Sequence, residues 1–221
     1  VLDKALREDR QIKSSSHDFG KDILPRLIAS GMRIFAYPYS DYWVDVGTVA
    51  SYWQAHMDLL VHHPPIDLND RSWIIHTRTE ERPPVRILRG AKVFDSMLSD
   101  GCVIEPGALV ERSVLAPGVY VAKDAVVRES VILTGTRIGE GAVVERVIID
   151  KGVNIGENAR MGGKSEGEIL IAMAGKKSII PPGYVIEPGA VIGTDVNIED
   201  YSSSLVRGDE YIQTKRLAYE V

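Results

Sequence analysis

The chain has 221 residues, 44% of them hydrophobic, and 26 Lys and Arg against 31 Asp and Glu give a net charge of −5. The apolar content suffices for a packed core, and the scattered basic residues exclude the cationic, aromatic-studded stripe of a nucleic-acid binder. A single cysteine, Cys102, excludes a disulfide framework; no apolar run reaches membrane-spanning length and no secretory signal pattern opens the sequence, so a cytoplasmic location is expected.

The first 62 residues mix element types. Leu2 to Arg7 and Gly20 to Ser30 carry helical spacing, Arg33 to Tyr37 reads as a short strand, and Tyr52 to Leu60 reads as a helix. Two or three such elements bury too little surface to stand alone, so residues 1–62 read as the end of a larger α/β domain. Prolines at either end, His63-Pro64-Pro65 and Arg82-Pro83-Pro84, mark residues 63–84 as a linker.

Two motifs in this opening part carry polar chemistry. One is Ser16-His-Asp-Phe-Gly-Lys-Asp-Ile-Leu-Pro25, in which Asp18, Lys21 and Asp22 sit where a helix would start. Ordinary capping accounts for such a pattern as well as a ligand does. The other is Asp41-Tyr-Trp-Val-Asp-Val-Gly-Thr48. Its Asp45 falls between the end of a strand and the Gly47-Thr48 entry to a helix, which suits either a helix-entry residue or a hard carboxylate aimed at a metal or phosphate.

From residue 85 onward the pattern changes to a comb. Ile87, Val93, Leu98, Ile104, Val110, Leu115, Val121, Val127, Ile132, Ile138, Val144, Ile149, Ile155 and Met161 recur at steps of five and six residues, mostly preceded by a small or β-branched residue two positions earlier. Three short strands per 17 residues close a triangular coil, and no coil can bury its apolar teeth without a neighbour. The fold expected over 85–221 is therefore a mostly β, left-handed parallel β-helix of hexapeptide repeats. Gly, Asn or Asp at most corners fits a sharp bend with positive φ. On the third corner stand Asp95, Arg112, Glu129 and Arg146 instead, one per coil, read either as a solvated charge ladder or as an anion or effector site. After a polar loop at 162–167 the comb resumes through Ile180, Ile186, Ile192 and Ile198; residues 201–221 show no comb and are expected to form a cap or a partner-binding arm.

The two motifs, in this order and joined to hexapeptide repeats, resemble the bacterial glucose-1-phosphate adenylyltransferases, or ADP-glucose pyrophosphorylases, along essentially the whole chain. The resemblance implies a Rossmann-like nucleotidyltransferase domain, of which residues 1–62 are the C-terminal remnant, followed by the β-helix. It implies synthesis of ADP-glucose and pyrophosphate from ATP and glucose 1-phosphate with Mg²⁺, Asp45 being a metal ligand and Asp18, Lys21 and Asp22 lying near the sugar pocket. It also implies a homotetramer regulated by effectors, for which the basic residues Arg71, Arg78, Arg86, Arg89 and Lys92 are the candidates. The family's Gly-rich nucleotide loop, first metal aspartate and Glu-Lys-Pro segment have no counterpart in this sequence, so these residues alone are expected to be inactive. Two other classes remain open: a hexapeptide acyltransferase, against which stands the placement of all five histidines before the repeats, and a purely structural oligomerisation module.

Overall fold

The computed structural model describes residues 1–75 and 80–215. It divides into two compact units, Val1–Asp41 and Tyr42–Val221.

In the first unit, helix α1 (Leu2–Asp9) is followed by a loop, a π-helical turn at Phe19–Ile23 and helix α2 (Leu24–Ala29). Pro25 sits in the first turn of α2, where its missing N–H costs no hydrogen bond. Gly31, at φ 77°, ends α2: its N–H bonds the Ile28 carbonyl and the next N–H, of Met32, bonds the Leu27 carbonyl. These two bonds satisfy carbonyls that the helix leaves open. Ala5, Ile23 and Asp9 are the buried residues. The expected strand at Arg33 to Tyr37 is absent, and the segment is exposed throughout. A strand is defined by a hydrogen-bonded neighbour, and no described residue pairs with it.

In the second unit, helix α3 (Val49–Asp58) begins with a capping box, in which the Thr48 hydroxyl accepts from the Ser51 N–H and the Ser51 side chain bonds the Thr48 backbone. The solenoid follows. Its first face is a six-stranded parallel sheet running from Arg86–Ile87 to Ile179–Ile180, and its second and third faces are seven-stranded parallel sheets from Lys92–Phe94 to Leu205–Val206 and from Met97–Leu98 to Tyr211–Ile212. Pairing is in register at a 17-residue step up to Met161, as in Ser130 N–H to the Ser113 hydroxyl on the layer before, and the register is kept over longer steps beyond it, as in Ile155 with Ile180. Ile104, Val121, Ile138, Ile155 and Ile180 stack on the first face, and Val110, Val127, Val144, Met161 and Ile186 on the second. All are buried. At roughly 1.5 to 3 kcal/mol for each buried aliphatic side chain, three per coil drive the stacking.

The comb thus reads out as the core, with three differences. Ile87, in the first strand of the first face, is 53% exposed. Ile198 is 59% exposed in a 3₁₀ turn (Ile198–Asp200), and Val196, two residues earlier, is the buried one. The six-residue step fails there because Asn197 caps that turn and lifts the chain off the face. The stretch after 201 is not devoid of comb either: Leu205–Val206 and Tyr211–Ile212 add strands to two faces, and Val206 is buried. Arg216 to Val221 lie outside the described residues.

Glycines of a different kind set the layer spacing. A Cβ on Gly139 would lie 2.7 Å from the Gly156 carbonyl carbon and the Glu157 nitrogen, and one on Gly156 would lie 2.4 Å from the Pro182 nitrogen. These positions exclude any side chain because the next layer's backbone occupies the space.

Candidate functional site

Asp45 is exposed, and its Oδ1 accepts the Gly47 N–H at 3.0 Å. This Asx turn leads directly into the capped start of α3. The preceding residues are fixed from the other end of the same helix: the Tyr42 hydroxyl donates to Asp58 Oδ2 at 2.8 Å, while Gln54 donates to Asp58 Oδ1 at 2.7 Å. Partial burial, and after it the contact with Asp58, push the Tyr42 phenol up from its ordinary value. Trp43, Val44 and Val46 are exposed, and with Tyr42, Ala55, His56, Leu59 and Ile66 they line an open apolar hollow of about 340 Å³.

Helix α3 is anchored on the solenoid's third face. Trp53 and Met57 are buried against Val131 and Ile171, with Tyr52, Leu60, Leu133 and Ile148 around them. The Trp53 indole N–H donates to the Glu129 carbonyl at 2.6 Å. The solenoid is therefore the platform that holds α3, and through α3 the Asp45 turn. The sequence signal for this was present in the aromatic pair Tyr52-Trp53, which heads an amphipathic helix with no other face to bury.

Glu129 belongs to the third-corner column, and its neighbours there share an unusual backbone. Asp95, Arg112, Glu129 and Arg146 have φ of 43°, 45°, 44° and 52°. Their side chains form a ladder with those of the adjoining strand ends: Arg146 to Glu129 at 2.6 Å, Arg128 to Glu111 at 3.2 Å and Arg112 to Glu129 at 3.9 Å. Glu111, Arg112, Arg128, Glu129, Glu145 and Lys164 line a cleft of about 460 Å³. Both of its arginines are paired with carboxylates, Arg112 with Glu129 and Arg128 with Glu111, as the solvated-ladder alternative has it.

In the first unit, Asp18 and Asp22 organise the turn into the π-helical segment. Asp18 Oδ1 accepts the Gly20 and Lys21 N–H groups at 2.8 and 2.7 Å. Asp22 Oδ2 accepts the Ser16 hydroxyl together with the Ser16 and Asp18 N–H groups, both at 3.2 Å. The Ser16 bond is the main cause that holds the Asp22 carboxyl below its ordinary value. One oxygen of each carboxylate is thus committed to capping, and Lys21 is exposed. Behind them lies a cluster that sequence reasoning missed: buried Asp9, which accepts the Ser15 hydroxyl and faces His17 Nδ1 and Arg26 Nη1. A lone Asp near a helix end gives no local sign that three residues of the next loop and helix converge on it.

The basic candidates stand apart from one another. Arg71 is exposed in a turn; Arg86 and Lys92 begin strands on different faces of the first coil, with Arg89 exposed between them. Arg78 lies outside the described residues. Among the described residues no three His, Cys, Asp or Glu side chains group as a metal site, and no helix is long and apolar enough to cross a membrane.

The chain matches two family models in succession, a nucleotidyl transferase over residues 1–62 and a "GlmU-like, C-terminal hexapeptide" over residues 84–171. Among curated proteins it is 46% identical over 104 residues to the glucose-1-phosphate adenylyltransferase of Bacillus licheniformis, a match covering 47% of this chain and 27% of that protein. The enzyme of the same name from Desulforamulus reducens is 45% identical over 104 residues (47% and 26%), and that from Bacillus mycoides 47% over 105 residues (48% and 28%). The match spans about a quarter of the length of these relatives. The chain is thus a homologue of the glucose-1-phosphate adenylyltransferases, with a nucleotidyl transferase segment followed by a GlmU-like hexapeptide segment.

Proposed function

We propose that the chain is the C-terminal part of a glucose-1-phosphate adenylyltransferase, the enzyme that makes ADP-glucose and pyrophosphate for glucan synthesis. The observation that carries this reading is the succession of the two family matches in one chain, together with 45% to 47% identity to enzymes of that name. In the reaction a phosphate oxygen of glucose 1-phosphate attacks the α-phosphorus of ATP and pyrophosphate leaves. Such a step depends on positioning and on charge neutralisation rather than on covalent help from the protein.

What these residues contribute is positioning. The solenoid holds α3, α3 holds the Asp45 turn, and the Asp18 and Lys21 turn offers an exposed acid and base to the sugar phosphate. Asp45 is the residue proposed to meet Mg²⁺, but one exposed carboxylate does not make a site for an ion that takes six oxygens, so no step is routed through the metal here. The chain alone is accordingly inactive, and its solenoid serves assembly into a homotetramer and regulation, with Arg71, Arg86, Arg89 and Lys92 as effector contacts. Acyl transfer is the weaker alternative because no repeat carries a histidine to act as base.

A coupled pyrophosphate-release assay with ATP and glucose 1-phosphate is the test. The full-length enzyme should turn over and residues 1–221 should not. Clear turnover by residues 1–221 would overturn the division of labour, and acetyl-CoA binding in the micromolar range would favour the acyltransferase.

A further inference from the structure

The third face of the solenoid buries its central outward side chains under α3, whereas the second face presents a strip of two tones to solvent. One outward row runs through Leu109, Val126 and Val143, in register from layer to layer, and is closed at its ends by Lys92 and Arg160. The row beside it, two residues further along each strand, runs Glu111, Arg128 and Glu145. An aliphatic row bordered by charges of alternating sign is the make-up of a protein contact, an apolar centre with a polar margin. Two charges at this margin have no partner within the chain: the side chains of Glu145 and Lys164, which border the cleft, form no hydrogen bond or ion pair with a described residue. A third is only half used. Arg128 bonds Glu111 through Nε at 3.2 Å, which leaves the terminal amino groups of its guanidinium for a second carboxylate.

We infer that the second face is a contact between two copies of this chain, laid face to face about a two-fold axis that runs along the strands and reverses the order of the layers. Charge decides between the possible axes. An axis along the stack keeps each layer opposite itself: it sets Glu111 on Glu111 where the charged rows meet, and buries charge against Leu109, Val126 and Val143 where they do not. An axis along the strands that passes through a layer again sets like on like. An axis between the Val126 and Val143 layers instead puts Val126 on Val143, Arg128 on Glu145 and, at the corner, Glu129 on Arg146 of the second copy, each pair occurring twice by symmetry. Leu109 then lies over the aliphatic stem of Arg160 and Val185 under that of Lys92, while Glu111 comes opposite Gly162, two residues from Lys164. One layer earlier or later, Glu145 faces Phe94 or Gly162 and stays without a partner. From Lys92 to Val185 the strip spans about 24 Å at the spacing of a sheet, which makes a small, transient contact rather than an obligate one. The inference uses none of the enzyme reading; to the proposed tetramer it adds one contact face.

Sedimentation of the 221-residue chain across the micromolar range tests the contact. Wild type should pass from monomer to dimer as concentration rises, and the dimer should weaken with added salt, because its ion pairs lie at the margin. Arg128→Glu sets carboxylate against carboxylate at both symmetry-related pairs, and Glu145→Arg sets guanidinium against guanidinium. Each should weaken dimerisation about tenfold or more, with the circular dichroism of the wild type retained. An equimolar mixture of the two variants should recover the dimer, since each reversed side chain then meets its opposite on the other copy. Neither misfolding nor the loss of a pair within one chain produces that recovery. A wild type that stays monomeric throughout leaves the strip to a partner of another sequence and overturns the inference. So does a mixture no more associated than its components. An oligomer indifferent to both reversals also overturns it, while leaving the proposed tetramer to be assembled through other surfaces.

Discussion

The two units of this chain are held together by opposite means. The solenoid repeats one apolar contact along each face, so its buried polar side chains are few and non-titrating: Ser113, Ser130, Thr136 and Ser178. The opening unit has few buried residues and relies on a knot of polar bonds around Asp9, with Asp22 and Asp18 organising the adjoining turn. A repeated contact tolerates the loss of a surface partner but not of spacing. A knot around one carboxylate tolerates neither the loss of that group's charge nor the loss of its partners.

The largest test of this contrast is spacing. Gly139→Ala puts a Cβ against the backbone of the next layer and should destabilise the solenoid by about 2 to 4 kcal/mol in denaturant unfolding, comparable to emptying a core position such as Ile149→Ala, at about 2 to 5 kcal/mol. A tolerated Gly139→Ala would show that the layers are freer to separate than their hydrogen bonds suggest. Next comes the α3 dock. Trp53→Phe keeps most of the ring but leaves the Glu129 carbonyl without its indole donor, and should cost about 1 to 2 kcal/mol. Amide exchange should accelerate over 49–60 more than in the coils.

Acid should separate the units. The folded-state pKa values of Asp9 and Asp22 are depressed below their ordinary value of 3.8, so both stabilise the first unit above that pH and the stabilisation is lost as pH falls below it. Amide exchange between pH 5 and pH 2 should therefore loosen residues 1–30 while the strands of the solenoid stay protected, whereas simultaneous loss would remove the distinction. Smallest is Ser178→Ala, which deletes a buried hydroxyl that has no hydrogen-bond partner and should be neutral or stabilising by up to about 1 kcal/mol.

How far the sequence speaks follows the same division. The comb made the solenoid legible because one spacing rule, repeated, decides burial at most teeth; it failed at Ile87, in the first strand of the stack, and at Ile198, where Asn197 starts a local turn that no period encodes. The opening unit obeys no period. Asp18 and Asp22 were legible as capping-type residues from their place before a helix, but Asp9 and His17 were not, since the bond between them depends on how the loop from Arg10 to Ser16 folds back. Trp53 lay between these cases: its amphipathic helix announced a buried face, yet not that the face would be the third sheet of the solenoid.

The excursion at residues 163–170 leaves the corner after Arg160–Gly162, and the chain returns so that Val147 still faces Ala172 on the following layer. A detour at that vertex therefore leaves the ladder beyond it undisturbed. That vertex is a place where foreign peptide can be spliced in, a grafting point whose tolerance comes from hydrogen bonds that run along the stack rather than around each turn.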